Sequence, residues 1–375
     1  MKVAFALYKY FPYGGLQRNM LTIATACLAK GFQVTIYTGG WEGPRPDQIK
    51  IKIFNSRQRT NHQRNIKFSR WLHQCLEHEP VDLLVGMNKI PGIDLYYAAD
   101  PCFAAKAYED RNFLYRITPR SRHALDFEKA VFGDHSKTHT LLVSAREKQV
   151  FQHYYATAGD RFHLLPPGIA RDRIAPKNAA QLRAEFRRQS GIKDNEKLLL
   201  ALGSGFKTKG VDRTLLALAQ LPEHWRNRTR LFVVGQDRPD SFVKRARSLG
   251  ITSQVTFFPG RDDVPSLLLG ADLLVHPAYR ENTGNVLLEA MIAGLPVITT
   301  DICGYAHYVQ DANMGTVLAS PFSQATYNTE LLQQLSDTEQ DWHSRGAHFA
   351  KTADIYRRPV FAADIIEQLI LEKTF

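Results

Sequence analysis

The sequence predicts an α/β protein built from two Rossmann-like domains in tandem, each a parallel sheet with helices on its faces. Three observations carry that expectation. Short apolar runs alternate with helix-length amphipathic segments along the whole chain, and strands that alternate with helices form parallel sheets through right-handed crossovers. The strand candidates are short, mostly apolar runs, and read as strands covered on both faces. The rhythm halts at LPPGI (165–169), a proline- and glycine-bearing hinge signal, and then restarts. At 375 residues the chain is also longer than one core ordinarily spans.

VAFALY (3–8) reads as the first strand, and 17–30 as the helix after it, closed by Gly31. QVTIYT (33–38), DLLVGM (82–87) and TLLVS (140–144) continue the first sheet. Beyond the hinge, LLLALG (198–203), LFVVG (231–235), VTFFPG (255–260), DLLVHP (272–277) and PVITT (296–300) build the second. The last segment, FAADIIEQLILEKTF, is an amphipathic helix that needs a surface to cover. The expected organisation is 1–168, a first Rossmann-like domain; 169–354, a second; and 355–375, a helix packing back on the first. The two sheets are expected to face a cleft. The opening MKVAFALYKYFPYGG lacks a small-residue cleavage site and reads as a strand, not a signal peptide. No apolar run approaches the ~18 residues that a membrane span requires.

A composition of 44% apolar and 23% charged residues is that of a globular protein, without repeats or low-complexity tracts. Cys27, Cys75, Cys102 and Cys303 lie far apart and form no CxxC pair, which argues against zinc fingers and disulfide frameworks and for a reducing cytoplasm. The net charge of +11 is uneven: residues 1–170 hold 23 Lys and Arg against 14 Asp and Glu, and the remainder 25 against 23. Residues 48–76 contain no acid but include Lys50, Lys52, Arg57, Arg59, Arg64, Lys67 and Arg70. A second cationic stretch, Arg111, Arg116, Arg120 and Arg122, is interleaved with Phe113, Leu114, Tyr115 and Ile117. Charge runs are commonly just solvated faces. An acid-free window confined to one domain points further, to an anionic partner: a phosphorylated glycolipid, nucleic acid or an anionic membrane.

Ligands of doubly wound sheets bind beyond the carboxyl ends of strands, at helix N-termini. Three glycine-bearing loops qualify. In YFPYGGLQ (10–17), Gly14 and Gly15 let the main chain approach a ligand closely, and the next helix favours negative charge. The loop is not GxGxxG, which disfavours a nicotinamide dinucleotide; a tight turn alone would use the same residues. GSGFKTKG (203–210) has P-loop-like glycine spacing, but Val211-Asp212 stands where Lys-Ser/Thr is required, so it is no Walker motif. What remains is a flexible loop with Lys207 and Lys209 at a helix start, able to hold a pyrophosphate without a metal or to be plain surface. In YRENTGNVLLEAM (279–291), the amides around Thr283, Gly284, Asn285 and Val286 are first-turn donors of a helix. Glu281 precedes them and Glu289 lies within the helix. Two carboxylates that accept from hydroxyls, with an anion-binding helix end between, suit a sugar nucleotide; a helix with incidental acids is the plain alternative.

Glu281 and Glu289, separated by seven residues around Gly284, together with Lys209-Gly210 and the Pro-Gly hinge, resemble glycosyltransferase family 4, which has the GT-B fold. LYKYFPYGGLQR (7–18), TNHQRN (60–65), YYAADPC (96–102), LPPGI (165–169), KGVDR (209–213), VVGQD (233–237), HPAY (276–279) and CGYAHY (303–308) are similar to its lipopolysaccharide-core glucosyltransferases, and they span nearly the whole chain. The resemblance implies a metal-independent, cofactor-free, retaining transfer of glucose from UDP-glucose to heptose I of the lipopolysaccharide inner core, as an α-1,3 link, in outer-core biosynthesis. By matched position Glu281 would contact the donor sugar and Glu289 the ribose, while Lys209 neutralises the departing diphosphate. Arg173 and Arg261 match positions near the nucleotide. Two departures stand out. Ser204 occupies a place where many members have arginine shortly after the strand-end glycine, which leaves Lys207 as the substitute. Asn19 stands where an acid follows the GGLQR loop, so no base is assigned there. Asp100 is then the acid expected on the N-terminal side, orienting the acceptor or stabilising positive charge on the sugar; a helix-capping role before Pro101 competes.

Under this reading the partners are the inner-core acceptor and the anionic cytoplasmic leaflet of the inner membrane. Arg57, Arg59, Arg64, Lys67, Arg116 and Arg120 would face it in a peripheral, cytoplasmic protein, and nucleic acid is not a partner. Another nucleotide sugar, or a UDP-sugar epimerase on the same fold, is the nearest alternative and is separated by products formed without acceptor. A basic nucleic-acid-binding protein accounts for the charge but not for Glu281 and Glu289.

Overall fold

The structure, a computed structural model, describes residues 1–12, 14–55, 58–337 and 340–374. The chain divides into two compact units, Met1–Gly168 with Ile355–Phe375, and Ile169–Asp354.

Among the described residues the first unit holds a seven-stranded parallel sheet. Its strands are β1 (Lys2–Leu7), β2 (Gln33–Thr38), β3 (Lys50–Ile53), β4 (Leu83–Gly86), β5 (Leu95–Ala98), β6 (His139–Leu142) and β7 (Phe162–Leu164), in the order β3-β2-β1-β4-β5-β6-β7. Successive side chains of a strand face opposite ways. Val3, Phe5 and Leu7 accordingly join one core, with Met20 and Ile23 of helix Gly15–Ala29, while Ala4 and Ala6 join another, with Phe68, Phe132 and Phe151. The helix Arg358–Thr374 completes the first of these cores with Ala362, Ile366, Leu369 and Ile370. Lys30 fixes it through Asp364 (2.8 Å) and Glu367 (2.6 Å), and buried Arg358 donates to the Pro166 carbonyl at 3.0 Å.

Among its described residues the second unit holds a six-stranded parallel sheet: β8 (Lys197–Leu202), β9 (Thr229–Val234), β10 (Val255–Phe258), β11 (Leu273–His276), β12 (Val297–Thr300) and β13 (Gly315–Leu318), ordered β10-β9-β8-β11-β12-β13. In both sheets chain order reverses beside the first strand, between β1 and β4 and between β8 and β11.

Four of these strands, β3, β5, β7 and β13, are additional to those the sequence predicts, and β3 changes the reading of the acid-free window. Lys50 and Lys52 lie on this edge strand and both pair with Glu79, at 3.1 and 2.8 Å. The window is therefore not one unpaired cationic face. The helix Asn61–His78, capped by Thr60 on the Gln63 amide, carries Arg64 and Lys67. Arg64 donates to Asn61 Oδ1 at 3.3 Å, whereas Arg59 and Lys67 are exposed. Arg57 lies outside the described residues.

In the second cationic stretch Pro119 opens the helix Pro119–Phe132, with Thr118 capping the Ser121 amide at 3.2 Å. The short helix Phe113–Arg116 precedes it, and Phe113 and Leu114 are 67% and 68% exposed. Tyr108 and Ile117 are exposed as well, Arg116 lies 5.0 Å from the Tyr108 ring, and Arg120 is solvent-facing. No helix among the described residues is long and apolar enough to cross a membrane.

Candidate active site

β8 and β11 are neighbours at the point where strand order reverses, so the loops leaving their carboxyl ends, 203–210 and 277–284, come together there. The main chain joins them: the Tyr279 amide donates to the Thr208 carbonyl at 2.7 Å, and Arg213 donates to the carbonyls of Pro277 (2.9 Å) and Ala278 (3.0 Å). Gly210 makes the approach possible. Its φ is +75°, and a Cβ there would lie 2.0 Å from the Pro277 oxygen. The 203–210 loop is pinned, not flexible as its composition suggests. Asp237 accepts from the amides of Gly205 and Phe206, and Ser204 Oγ accepts from the Gln236 amide at 3.1 Å. The Gly205 and Phe206 amides are thereby occupied by Asp237.

The join sorts the side chains into two groups. Lys207 Nζ lies 2.6 Å from Asp212 and 3.3 Å from the Tyr279 hydroxyl, which itself donates to Asp212 at 2.8 Å. The Arg213 guanidinium rests 3.6 Å from both the Tyr279 and Phe322 rings. Lys209 belongs to the other group, where its ammonium forms an ion pair with Glu281.

Glu281 is only 14% exposed, and an unpaired carboxylate so placed would be costly. It accepts from Lys209 and from His276 Nε2, the latter at 3.2 Å. Burial on its own would raise the Glu281 pKa, but the His276 hydrogen bond and the Lys209 charge outweigh it and hold the carboxyl down at about 2. His276, 1% exposed at the end of β11, has its pKa depressed by burial and is neutral.

Three residues past Glu281, Gly284 starts the helix Asn285–Ile292 with φ +86° and brings no capping side chain. The Leu287 amide donates back to the Gly284 carbonyl at 2.9 Å, while those of Asn285 and Val286 have no preceding helical carbonyl to bond and carry partial positive charge. Buried Leu287, Leu288, Ala290 and Met291 anchor the helix, and half-buried Glu289 lies on it. Thr283 is fixed through its carbonyl, which accepts from the Tyr305 amide at 2.8 Å. Asn285 Oδ1 is buried and accepts no hydrogen bond among the described residues.

Two further cations of the second unit are placed differently. Arg173, in the turn Arg171–Arg173, is buried, with one nitrogen 3.0 Å from Asp172 and its Nε without a partner among the described residues. Arg261 forms a two-pronged pair with Asp263, 2.7 Å from Nε, and this pair holds the Asp263 carboxyl below its ordinary value.

Gly14, Gly15 and Asp100 belong to the first unit. Gly14 caps the helix Gly15–Ala29 beyond β1, where buried Gln17 donates to the Lys9 carbonyl at 3.0 Å. Asp100 is exposed just past β5. The capping role weighed for it is filled by other acids: fully buried Glu128 accepts from the Phe103 and Ala104 amides, both at 2.8 Å, and Glu147 from the Cys102 amide at 2.9 Å. Lys89 and the Tyr155 hydroxyl also bond Glu128. Among the described residues no group of three His, Cys, Asp or Glu side chains is arranged to hold a metal ion.

Sequence reasoning assigned no role to His276, Asp237, Asp212 or Tyr279. All four lie within or beside the matched segments HPAY, VVGQD and KGVDR, and that proximity was the available signal.

Comparison with known proteins agrees with this arrangement. The profile described as Glycosyltransferase Family 4 matches residues 13–173, and that of Glycosyl transferases group 1 matches residues 183–348. The lipopolysaccharide glucosyltransferase WaaG of Escherichia coli (strain K12) is 47% identical over 368 residues, 98% of each chain. A crystal structure of WaaG, a glycosyltransferase involved in lipopolysaccharide biosynthesis, superposes with a TM-score of 0.91 over 97% of this chain and 99% of that one. Anabaena HepE, solved with UDP and glucose, shares the fold at a TM-score of 0.71 and 18% identity, over 100% of this chain and 99% of its own. The chain belongs to glycosyltransferase family 4 and carries its GT-B fold of two parallel α/β sheets.

Proposed function

We propose that this glycosyltransferase moves glucose from UDP-glucose to the first heptose of the lipopolysaccharide inner core, forming an α-1,3 link with retention and without a metal. Full-length identity to a protein named lipopolysaccharide glucosyltransferase supports the reading. The observation that carries it is the meeting of Lys209 and Glu281 beside the Gly284-started helix. A diphosphate leaving group needs charge stabilisation where charge develops, and preorganised donors usually contribute most to catalysis. Lys209 and the amides near Asn285 and Val286 supply them. Arg173, Arg261 and Lys207 add positive charge, while Thr283 and Gly284 set the loop's course. Gly14 and Gly15 admit close main-chain approach to the donor.

Glu281 accepts from a hydroxyl of the glucose and Glu289 from the ribose. The bond between the anomeric carbon and the phosphate oxygen breaks. The acceptor oxygen bonds to that carbon from the same face, and its proton passes to the departing phosphate oxygen. No side-chain base is then required. Asp100 orients the acceptor hydroxyl.

The first unit's cations serve an anionic leaflet on the cytoplasmic side of the inner membrane, to which the protein attaches peripherally. Arg59, Arg64, Lys67, Arg116 and Arg120 each contribute about 1 kcal/mol close to such a surface. Exposed Phe113 and Leu114 add an apolar contribution that salt does not screen.

The test is purified protein with a panel of UDP- and GDP-sugars and truncated inner-core acceptor, chelator present, the product's anomeric configuration read by NMR. An α-glucoside formed from UDP-glucose alone is expected. Transfer of another sugar, inversion, or a demand for metal would refute the corresponding part.

A further inference from the structure

Both contacts to Glu281 fall on one oxygen. Lys209 and His276 each reach Oε2, and Oε1 has no hydrogen-bond partner among the described residues. An ionised carboxylate only accepts, so His276 must carry its hydrogen on Nε2 and donate.

The two donors differ in what holds them. His276 is part of β11, between β8 and β12, and its carbonyl receives the Ala278 amide at 2.8 Å and Thr299 Oγ1 at 3.2 Å. At 1% exposure it has no room to swing. Lys209 is 23% exposed, comes from a loop and ends a long flexible chain. An incoming diphosphate competes with Glu281 for its charge. Once Lys209 turns to the phosphates, His276 is the remaining donor on Glu281.

We infer that His276 is a positioning residue: from the sheet it holds Glu281 Oε2, so that Oε1 stays available to a donor-sugar hydroxyl before and after Lys209 turns to the diphosphate. This rests on the proposal that this end of the second sheet takes a nucleoside diphosphate sugar. The charged and titratable groups around Glu281 are Lys209 from the β8 loop, His276 from β11 and Cys303 after β12. The Cys303 thiol is raised by burial and bonded to Thr299 at 3.2 Å, so it stays neutral.

The test compares His276→Gln, which keeps an N–H donor of similar reach, with His276→Leu, which removes it, and with His276→Asn, whose donor is too short, should the leucine variant fail to fold. UDP binding is measured by calorimetry, UDP-glucose turnover as kcat and KM across pH, and folding by thermal melting. In the variant without a reaching donor, KM for UDP-glucose rises about tenfold while Kd for UDP, which lacks the sugar, stays within about twofold. The acidic limb of kcat/KM moves up by about one pH unit, because Glu281 loses a donor that favours its ionised form. Glutamine restores most of both effects. Equal weakening of UDP and UDP-glucose, an unmoved acidic limb, or glutamine behaving like leucine would each overturn the positioning role. Native protein that binds no UDP would overturn the sugar-nucleotide reading itself. Native protein that binds and turns over, with variants indistinguishable from it, would sink this inference alone.

Discussion

Lys209 and Glu281 stand 72 positions apart in the chain and meet as a largely buried ion pair. Lys209→Met removes the cation expected to answer the leaving diphosphate, and it also leaves a buried carboxylate with one neutral donor. Turnover should fall by about 10²–10³, and stability at neutral pH by about 1–3 kcal/mol. Radiolabelled glucose transfer and urea unfolding measure the two. A variant that loses stability but transfers normally would leave Lys209 a structural role only.

The same carboxylate gives the enzyme a pH signature. Glu281 is held at about 2 in the folded protein against an ordinary 4.5. Between those values the unfolded chain binds more protons, so the contribution of Glu281 is complete above pH 4.5 and disappears as pH falls toward 2. A shift of that size corresponds to about 3 kcal/mol. Glu281→Gln should lose less stability than the native chain between pH 5.5 and 3.5, as followed by urea titrations. Parallel loss in both proteins would show that Glu281 is not the responsible group.

Glu128 caps the helix that follows Asp100, and the proposed acceptor role of Asp100 can be separated from that structural one. Glu128→Leu strands Lys89 and the Phe103 and Ala104 amides, and should cost about 3–5 kcal/mol. Asp100→Asn should stay within about 0.5 kcal/mol of the native protein while glucose transfer drops. Equilibrium unfolding beside acceptor kinetics distinguishes them, and an unstable Asp100→Asn would return Asp100 to a structural part.

Membrane attachment is expected to have two separable parts. Phe113→Ser with Leu114→Ser removes apolar insertion worth about 1.5–3 kcal/mol for each side chain fully buried, leaving binding that salt abolishes. Arg116→Gln with Arg120→Gln removes about 1 kcal/mol per charge, leaving binding less dependent on salt. Flotation with anionic vesicles across a salt series reads both. Unchanged flotation of the serine variant at high salt would remove these side chains from the membrane contact.

What could be read from the sequence follows from how local each feature is. QVTIYT became β2 end to end, because Val34, Ile36 and Tyr37 are β-formers that the sheet buries, even though Gln33 is exposed. KIKI in β3 alternates charge with isoleucine and lies at an edge, where it looks like part of a cationic run. Leu95–Ala98 and Gly315–Leu318 are no shorter than strands that were legible, but LYYA and GTVL mix aromatic, small and polar residues and form no aliphatic run. Lys209 and Glu281 were legible one at a time, since each follows an apolar strand. Their pairing was not, because it depends on β8 lying beside β11, which are not consecutive strands. His276 lies inside the strand segment DLLVHP, and only the fold sets its ring against Glu281. Glu128 caps a helix 25 residues earlier in the chain, a relation that no local spacing reveals.

The helix Arg358–Thr374 belongs to the core that β1 begins. On the ribosome, the strands of 1–168 therefore wait for a helix made only after the whole of 169–354, whereas 169–354 is one continuous stretch of chain. Order of maturation runs against order of translation. A message cut short just before this helix would yield one finished half tethered to another with an open greasy groove over Met20 and Ile23, prone to aggregate or to be degraded.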